Sequence, residues 1–315
     1  MTSSLGLVFP GQGSQSVGML KDIAEEFSEV QTTFAEASTA LGYDLWELVA
    51  HGPASELDKT VHTQPALLAA SYAIWRILTA KGDIQPALLA GHSLGEYTAL
   101  VCANAIAFAD AVKLVAARGQ YMQDAVPVGQ GALAAIVGLD DAAVATLCEQ
   151  ARLEDVLSPA NFNSPGQVVI GGNVAAVERA LILAKEAGAR LAKLLPVSVP
   201  SHCILMKPAA LRLAELLNQI SIQKTTIPVL NNVDVAIYDS PDAIRDGLVR
   251  QLFMPVRWVE TIQFFVNKGI TSIVECGPGK VLSGLNKRIA AEAQLAWTSD
   301  LSSLKNLLET TFENK

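Results

Sequence analysis

Between Gln85 and Leu100 the sequence reads QPALLAGHSLGEYTAL, and within it Gly91-His92-Ser93-Leu94-Gly95 leaves the backbone few choices. The apolar run 87–90 has the length and composition of an interior parallel strand, whereas residues from Tyr97 onward have helical composition. The chain must therefore reverse within a few residues. Glycine on both sides of a G-x-S-x-G turn lets neighbouring backbone pass close by, and a strained strand-to-helix turn of this kind leaves its serine hydroxyl at the carboxyl end of the sheet. The first N–H groups of the helix point at the same place. Ser93 is accordingly a candidate nucleophile, and the amide of Leu94 a candidate donor to the oxyanion formed when that hydroxyl attacks a carbonyl. A tight structural turn is the competing reading.

Composition agrees with an α/β protein. Of 315 residues, 50% are hydrophobic and only 6% aromatic, so Ala and the aliphatics dominate, as in helices packed on a parallel sheet. The length allows one large domain with an insertion or two ordinary domains. Cys102, Cys148, Cys203 and Cys276 are far apart with no C-x-x-C pair, which points to buried free thiols rather than a disulfide framework or a zinc site. The amino terminus lacks a basic segment followed by a long apolar one, and the most apolar helix ends at Arg76 and Lys81, short of a membrane span. A cytoplasmic protein is expected. The net charge of −8 argues against general affinity for nucleic acid or membrane, so an acidic partner would have to meet a local basic patch.

Taken in order, 5–9 reads as a strand running into Pro10-Gly11-Gln12-Gly13-Ser14-Gln15. This loop is not the dinucleotide fingerprint, since Ser16 stands where G-x-G-x-x-G needs glycine, and no P-loop lysine follows. A plain turn is one reading; a second oxyanion amide at Gln12 is another. Helices are expected at 19–41, at 44–49, at 64–80 with Pro65 in its first turn, and at 108–125. From 129 to 197 the pattern becomes strand (132–137), helix (140–152), two strands (159–163 and 167–170) joined through Ser164-Pro165-Gly166, helix (175–187) and strand (191–197). That βαββαβ order is the split unit of the ferredoxin-like kind. After it come a helix at 208–220, a strand at 227–233, helices at 242–252 and 259–268, a strand at 272–276, a last edge strand at 295–297 and a terminal helix. Gly277-Pro278-Gly279-Lys280 is a strand-to-helix turn, because a phosphate loop would need glycine at Val274. The expected fold is α/β: a large α/β-hydrolase-like domain with a central parallel sheet (1–128 and 198–315) and an inserted ferredoxin-like subdomain (129–197), with the site in the cleft between them.

A serine hydroxyl is a poor nucleophile until a neighbouring base removes its proton. His51 and His62 lie in or near loops before the turn, and His92 is adjacent to Ser93, so its ring should leave in another direction. His202 is the candidate base, standing in the Pro-rich return from the insertion; a structural histidine is the alternative. Arg118, on spacing alone, reads as a solvated helix charge.

Several separate motifs in order across nearly the whole chain resemble the malonyl-CoA:acyl carrier protein transacylases of dissociated fatty acid synthesis. They are Phe9-Pro10-Gly11-Gln12-Gly13-Ser14-Gln15, Thr63-Gln64-Pro65-Ala66, Gly91-His92-Ser93-Leu94-Gly95-Glu96-Tyr97, Asn161-Phe162-Asn163-Ser164-Pro165-Gly166-Gln167, Val199-Pro200-Ser201-His202 and Glu275-Cys276-Gly277-Pro278-Gly279. The resemblance implies a ping-pong transfer in which Ser93 takes the malonyl group from malonyl-CoA as an ester and passes it to the phosphopantetheine thiol of acyl carrier protein. It implies His202 as general base, the backbone amides of Gln12 and Leu94 as oxyanion hole, and Arg118 as the group that grips the malonyl carboxylate. In place of a triad carboxylate, it implies a main-chain carbonyl, at Gln251, orienting the histidine. It implies no cofactor and a monomer. Arg190, Lys193, Lys287 and Arg288 are the basic groups expected to meet coenzyme A phosphates and an acidic carrier protein, with a solvated surface as the alternative. Leu191 stands where the family carries a second base beside Arg190.

Three rival readings remain. An α/β-hydrolase esterase or thioesterase shares the turn, although its histidine usually lies late in the chain and it gives Arg118 no role. An acyltransferase for branched or larger groups would use Ser201 to shape its pocket. A silent carrier-docking module would have no use for Ser93, His202 and Arg118 together.

Overall fold

The computed structural model describes residues 4–81, 84–197 and 199–313, and the expected large-domain limits at 1, 198 and 315 lie outside the described residues. The strand β1 (Leu5–Phe9) is followed by α1 (Lys21–Ala24), α2 (Ser28–Leu41), α3 (Leu45–His51), α4 (Ala54–Leu57) and α5 (Thr60–Lys81). Next, β2 (Leu88–Gly91) leads into α6 (Leu94–Cys102), and α7 spans Phe108–Ala125. Then come β3 (Gly131–Val137), α8 (Asp141–Arg152), β4 (Leu157–Ser164), β5 (Gln167–Asn173), α9 (Val174–Glu186) and β6 (Leu191–Leu194). The chain continues through α10 (Lys207–Leu217), β7 (Val229–Leu230), α11 (Pro241–Gln251), α12 (Trp258–Asn267), β8 (Ser272–Glu275), α13 (Val281–Ile289), β9 (Gln294–Trp297) and α14 (Leu301–Glu313).

Among the described residues the strands form two sheets. The central one runs in the order β7-β2-β1-β8-β9 and every pairing in it is parallel. Leu7, Val8, Phe9, Leu89 and Ala90 are wholly buried, because an all-parallel sheet is covered on both faces. Each such aliphatic or aromatic side chain contributes about 1.5–3 kcal/mol on burial. Among the covering helices, α5 packs against α2, α6 and α7, and its apolar residues point in nearly all directions, which suits a helix enclosed on most sides. Parallel strands end together, so the loops after β1, β2 and β8 share one edge. A Cβ added at Gly11 would lie 2.5 Å from the His92 carbonyl, and one at Gly277 would lie 2.6 Å from the Pro10 ring.

The second sheet, in the order β4-β5-β3-β6, is antiparallel and has its own core around Ile136, Val144, Val168, Ile170 and Val177. At the β4–β5 hairpin Gly166 takes φ 71, a left-handed conformation that favours glycine. Val256 ties this sheet to the rest of the protein: its carbonyl accepts from the Phe162 amide and its amide donates to the Ala160 carbonyl, both at 2.9 Å.

Three expectations are corrected. The helix at 19–41 is broken, because Phe27 turns extended (φ −118, ψ 109) and buries its ring in the core. The helix expected from 64 begins at Thr60, which puts Pro65 inside it rather than in the first turn. The strand expected over 227–233 shrinks to Val229–Leu230, since the amide side chains of Asn231 and Asn232 bond Ala236 and the Gly91–Ser93 turn instead. No described helix is long and apolar enough to cross a membrane.

Candidate active site

Ser93 sits between β2 and α6 with φ 52 and ψ −109, a conformation that costs a non-glycine residue of order 1–3 kcal/mol and persists only where its surroundings enforce it. The surroundings are tight. A Cβ at Gly91 would lie 1.8 Å from the Gly95 carbonyl carbon, and one at Gly95 would lie 2.0 Å from the Phe9 carbonyl oxygen. The side chain of Asn232 pins the turn from outside, accepting from the Ser93 amide at 2.7 Å and donating to the Gly91 carbonyl at 2.6 Å.

His202 is 3% exposed, and its amide donates to the Leu252 carbonyl at 2.9 Å. Its Nδ1 lies 2.7 Å from the main-chain oxygen of Gln251 and its Nε2 lies 2.8 Å from Ser93 Oγ. A carbonyl can only accept, so Nδ1 carries the hydrogen and Nε2 offers its lone pair to the serine hydroxyl. Burial, reinforced by the nearby Arg118 charge, pulls the His202 pKa down to about 3, which keeps the ring neutral. The other histidines are engaged elsewhere: His51 with Glu47, His62 with the Glu56 carbonyl, His92 with Asn163. All four cysteines are free and buried, and burial lifts the Cys203 thiol, next to the base, to about 11.

Arg118 is not a solvated charge. It is 1% exposed, because α7 turns it inward beneath Ser93. Nη1 donates to Gln64 Oε1 at 2.8 Å, and Nη2 donates to Gln251 Oε1 at 3.0 Å and to Ser93 Oγ at 3.3 Å. The guanidinium carbon lies 5.3 Å from the centre of the Tyr97 ring, and Nε is buried without a hydrogen-bond partner. Burial pulls the Arg118 pKa down while the Glu96 charge pulls it up; a guanidinium starts so high that it stays charged. Glu96 is wholly buried one turn beyond Ser93. A fork of donors directed at the serine oxygen and engaged only by neutral acceptors is suited to pairing with an anion.

Gln64, Glu96, Asn232 and the Gln251 side chain build this site without any role that the sequence pattern reveals. One signal existed for Glu96, a lone charge in the otherwise apolar helix LGEYTALVC. The others are neutral amides whose partners lie far away in the chain.

At Ser201, the residue before His202, opens a cleft of about 390 Å³ lined also by Gln12, Thr60, Met122, Leu133 and Leu195, so residues of both sheets' surroundings meet there. Gln12 is fixed by its side-chain oxygen, which accepts from Thr60 at 3.0 Å. The Leu94 amide opens α6, in the first turn where N–H groups have no carbonyl of their own helix to bond. Arg190, Lys193, Lys287 and Arg288 are all exposed. Arg288 donates to Gln167 Oε1 at 2.8 Å, and a Cβ at Gly138 would lie 2.9 Å from the Arg190 amide. The structure thus gathers Arg190 and Arg288 at one end of β3 and β5, the end at which Asn163 meets His92 at 2.8 Å. Ser201 packs by Gly171, about 14 Å further along β5 at roughly 3.4 Å per residue.

This parallel-sheet fold, with a serine on a strained turn and a neutral histidine against it, defines an acyl-transfer enzyme: the chain belongs to the acyl transferase domain family, whose model matches residues 7–295. Within that family it is 56% identical to the malonyl CoA-acyl carrier protein transacylase of Escherichia coli (strain K12), over 98% of this chain and 99% of that protein. An acyl carrier protein S-malonyltransferase from Vibrio cholerae superposes with a TM-score of 0.95 at 56% identity, covering 97% of this chain and all of that one. A malonyl-transacylase solved in complex with its type II PKS acyl-carrier protein superposes with a TM-score of 0.97 at 55% identity, covering 98% of this chain and all of the matched chain.

Proposed function

We propose that this chain transfers the malonyl group of malonyl-CoA to the phosphopantetheine thiol of acyl carrier protein, supplying extender units for fatty acid synthesis. The observation that carries the reading is the convergence on one oxygen: Ser93 Oγ faces the lone pair of His202 at 2.8 Å and the guanidinium of Arg118 at 3.3 Å. In the first half-reaction Arg118 binds the free carboxylate of the malonyl group. His202 Nε2 takes the Ser93 proton as Oγ attacks the thioester carbonyl, and the amides of Gln12 and Leu94 receive the oxyanion. Collapse expels coenzyme A as the thiolate, which takes the proton from His202. In the second half the carrier thiol gives its proton to His202 and attacks the ester, and His202 returns that proton to the departing Ser93 oxygen.

The Gln251 carbonyl stabilises the imidazolium that forms in both halves, in the place a carboxylate holds in a Ser-His-Asp triad. An acetyl group leaves the Arg118 charge unpaired, so the same residue supplies selectivity. Arg190, Lys193, Lys287 and Arg288, all exposed, serve as a basic rim for coenzyme A phosphates and the acidic carrier protein. The domain division that goes with this reading is a large α/β-hydrolase-like unit (1–128 and 198–315) and a ferredoxin-like insertion (129–197), supported by the two separate cores and the order of strands β4-β5-β3-β6. The enzyme acts as a cytoplasmic monomer and needs no cofactor.

The test is transfer of label from malonyl-CoA to carrier protein. Label that reaches carrier protein with a free pantetheine thiol, and not carrier protein whose thiol is alkylated, supports the reading; release of free malonate at the same rate with either contradicts it.

A further inference from the structure

We infer that Glu96 is a positioning residue for acyl-group discrimination: its buried carboxylate fixes the Gln251 amide, and through it the Arg118 guanidinium. The inference rests on the reading of Arg118 as the carboxylate-binding group.

Glu96 is wholly buried and takes hydrogen bonds from three separate parts of the chain. Oε2 accepts from the Asn232 amide at 3.0 Å and from Gln251 Nε2 at 2.8 Å, and Oε1 accepts from the Tyr238 hydroxyl. Oε2 faces two N–H donors and so acts toward Gln251 only as an acceptor. Both donors are parts of the machinery around Ser93. Asn232 holds the Gly91–Ser93 turn, and Gln251 Nε2 donates to the Ser93 carbonyl at 3.0 Å as well as to Glu96.

The consequence lies in which end of the Gln251 amide faces Arg118. With Glu96 and the Ser93 carbonyl both able only to accept, Nε2 must turn toward them. Oε1 is then left for Arg118 Nη2, at 3.0 Å. A neutral amide at position 96 could present its own NH2 group, which would let Gln251 flip and put a donor against the guanidinium. Arg118 makes no ion pair among the described residues, so its fork is held by neutral oxygens of which Gln251 Oε1 is one. Losing that contact would displace the fork and take Nε2 from the Ser93 carbonyl, while leaving the bond between His202 and the Gln251 main chain in place. The effect should therefore fall more heavily on carboxylated acyl groups, which alone need the fork.

Full-length Glu96→Gln, Glu96→Asp and Arg118→Ala, and the double variant Glu96→Gln/Arg118→Ala, are compared for kcat and KM with malonyl-CoA and acetyl-CoA. The expected result is a malonyl kcat/KM lowered roughly tenfold in Glu96→Gln, mostly through KM, with a clearly smaller loss in acetyl transfer. Glu96→Asp, still acceptor-only, recovers part of the loss. In the Arg118→Ala background, Glu96→Gln leaves the malonyl-to-acetyl ratio where it was. Equal losses for both acyl groups in Glu96→Gln, while Arg118→Ala lowers malonyl transfer far more than acetyl transfer, would overturn this inference and spare the reading of Arg118. Equal losses for malonyl and acetyl in Arg118→Ala itself overturn both. Should Glu96→Gln fail to fold, Tyr238→Phe removes one donor to the carboxylate from outside the site. A smaller shift of the ratio in the same direction supports the inference, and an unchanged ratio overturns it.

Discussion

His202 Nδ1 donates to the main-chain carbonyl of Gln251 at 2.7 Å, and this bond decides that Nε2 faces Ser93 with its lone pair. A carboxylate in that position would add a full charge to the same task. A carbonyl offers only a dipole, so the imidazolium formed during transfer is stabilised less and gives its proton back more readily.

Replacing His202 by Ala should slow acylation of Ser93 by about 10² to 10⁴ fold, the range for losing a positioned general base. Rapid mixing with malonyl-CoA measures it. A loss of only a few fold would show that Ser93 is activated by something else.

The pH profile follows from the direction of the His202 shift. In the proposed mechanism the neutral ring is the active form, and its pKa is pulled down to about 3 from the ordinary 6.5, so kcat/KM for acylation should be flat between about pH 5 and pH 8. A histidine at its ordinary value would give a tenfold fall per unit below about 6.5. For stability the sign is the same: the unfolded chain binds this proton first. The contribution of the neutral ring is full above about 6.5 and is lost as the pH falls toward about 3. Denaturant midpoints should therefore show the difference between wild type and His202→Gln moving in favour of the variant across that window.

Arg118→Ala should lower malonyl transfer by roughly 10² to 10³ fold, the cost of removing one partner from a buried charge pair, and leave acetyl transfer much less affected. Steady-state kinetics with the two thioesters compares them directly. Equal losses would mean that Arg118 maintains the fold around Ser93 and does not read the acyl group.

The turn that carries Ser93 was legible because it is written in glycine, and the clearances of 1.8 and 2.0 Å at Gly91 and Gly95 show why nothing larger fits. Helix α7 was legible to its ends, since its apolar stripe and flanking residues agree. Its spacing could not tell where Arg118 points, because periodicity gives the face of a helix and not whether polar oxygens wait there. Gln64 and Gln251 supply those oxygens from 54 and 133 residues away. Asn232 was hidden for a related reason: its stretch has strand composition, but its amide bonds the Ser93 turn 139 residues away instead of extending the ladder. The break at Phe27 left no local mark, since the helical pattern continues through it and only the core it fills explains the turn.

Gly91→Ala and Gly284→Ala form a matched pair. The first places a methyl group inside backbone and should cost more than about 4 kcal/mol, or prevent folding. The second lies within α13 with nothing inside 4 Å of the added carbon, and should be neutral or stabilise by about 0.5–1 kcal/mol. Thermal denaturation of the two variants checks it.

The most direct measurement is the intact mass of the protein mixed briefly with malonyl-CoA, then with carrier protein, alongside Ser93→Ala and a parallel sample with acetyl-CoA. The predicted result is a malonyl adduct that requires Ser93 and moves to the carrier protein, with little acetyl adduct. An adduct that persists in Ser93→Ala, or one that is lost to water instead of to the carrier, would contradict the serine-ester transfer.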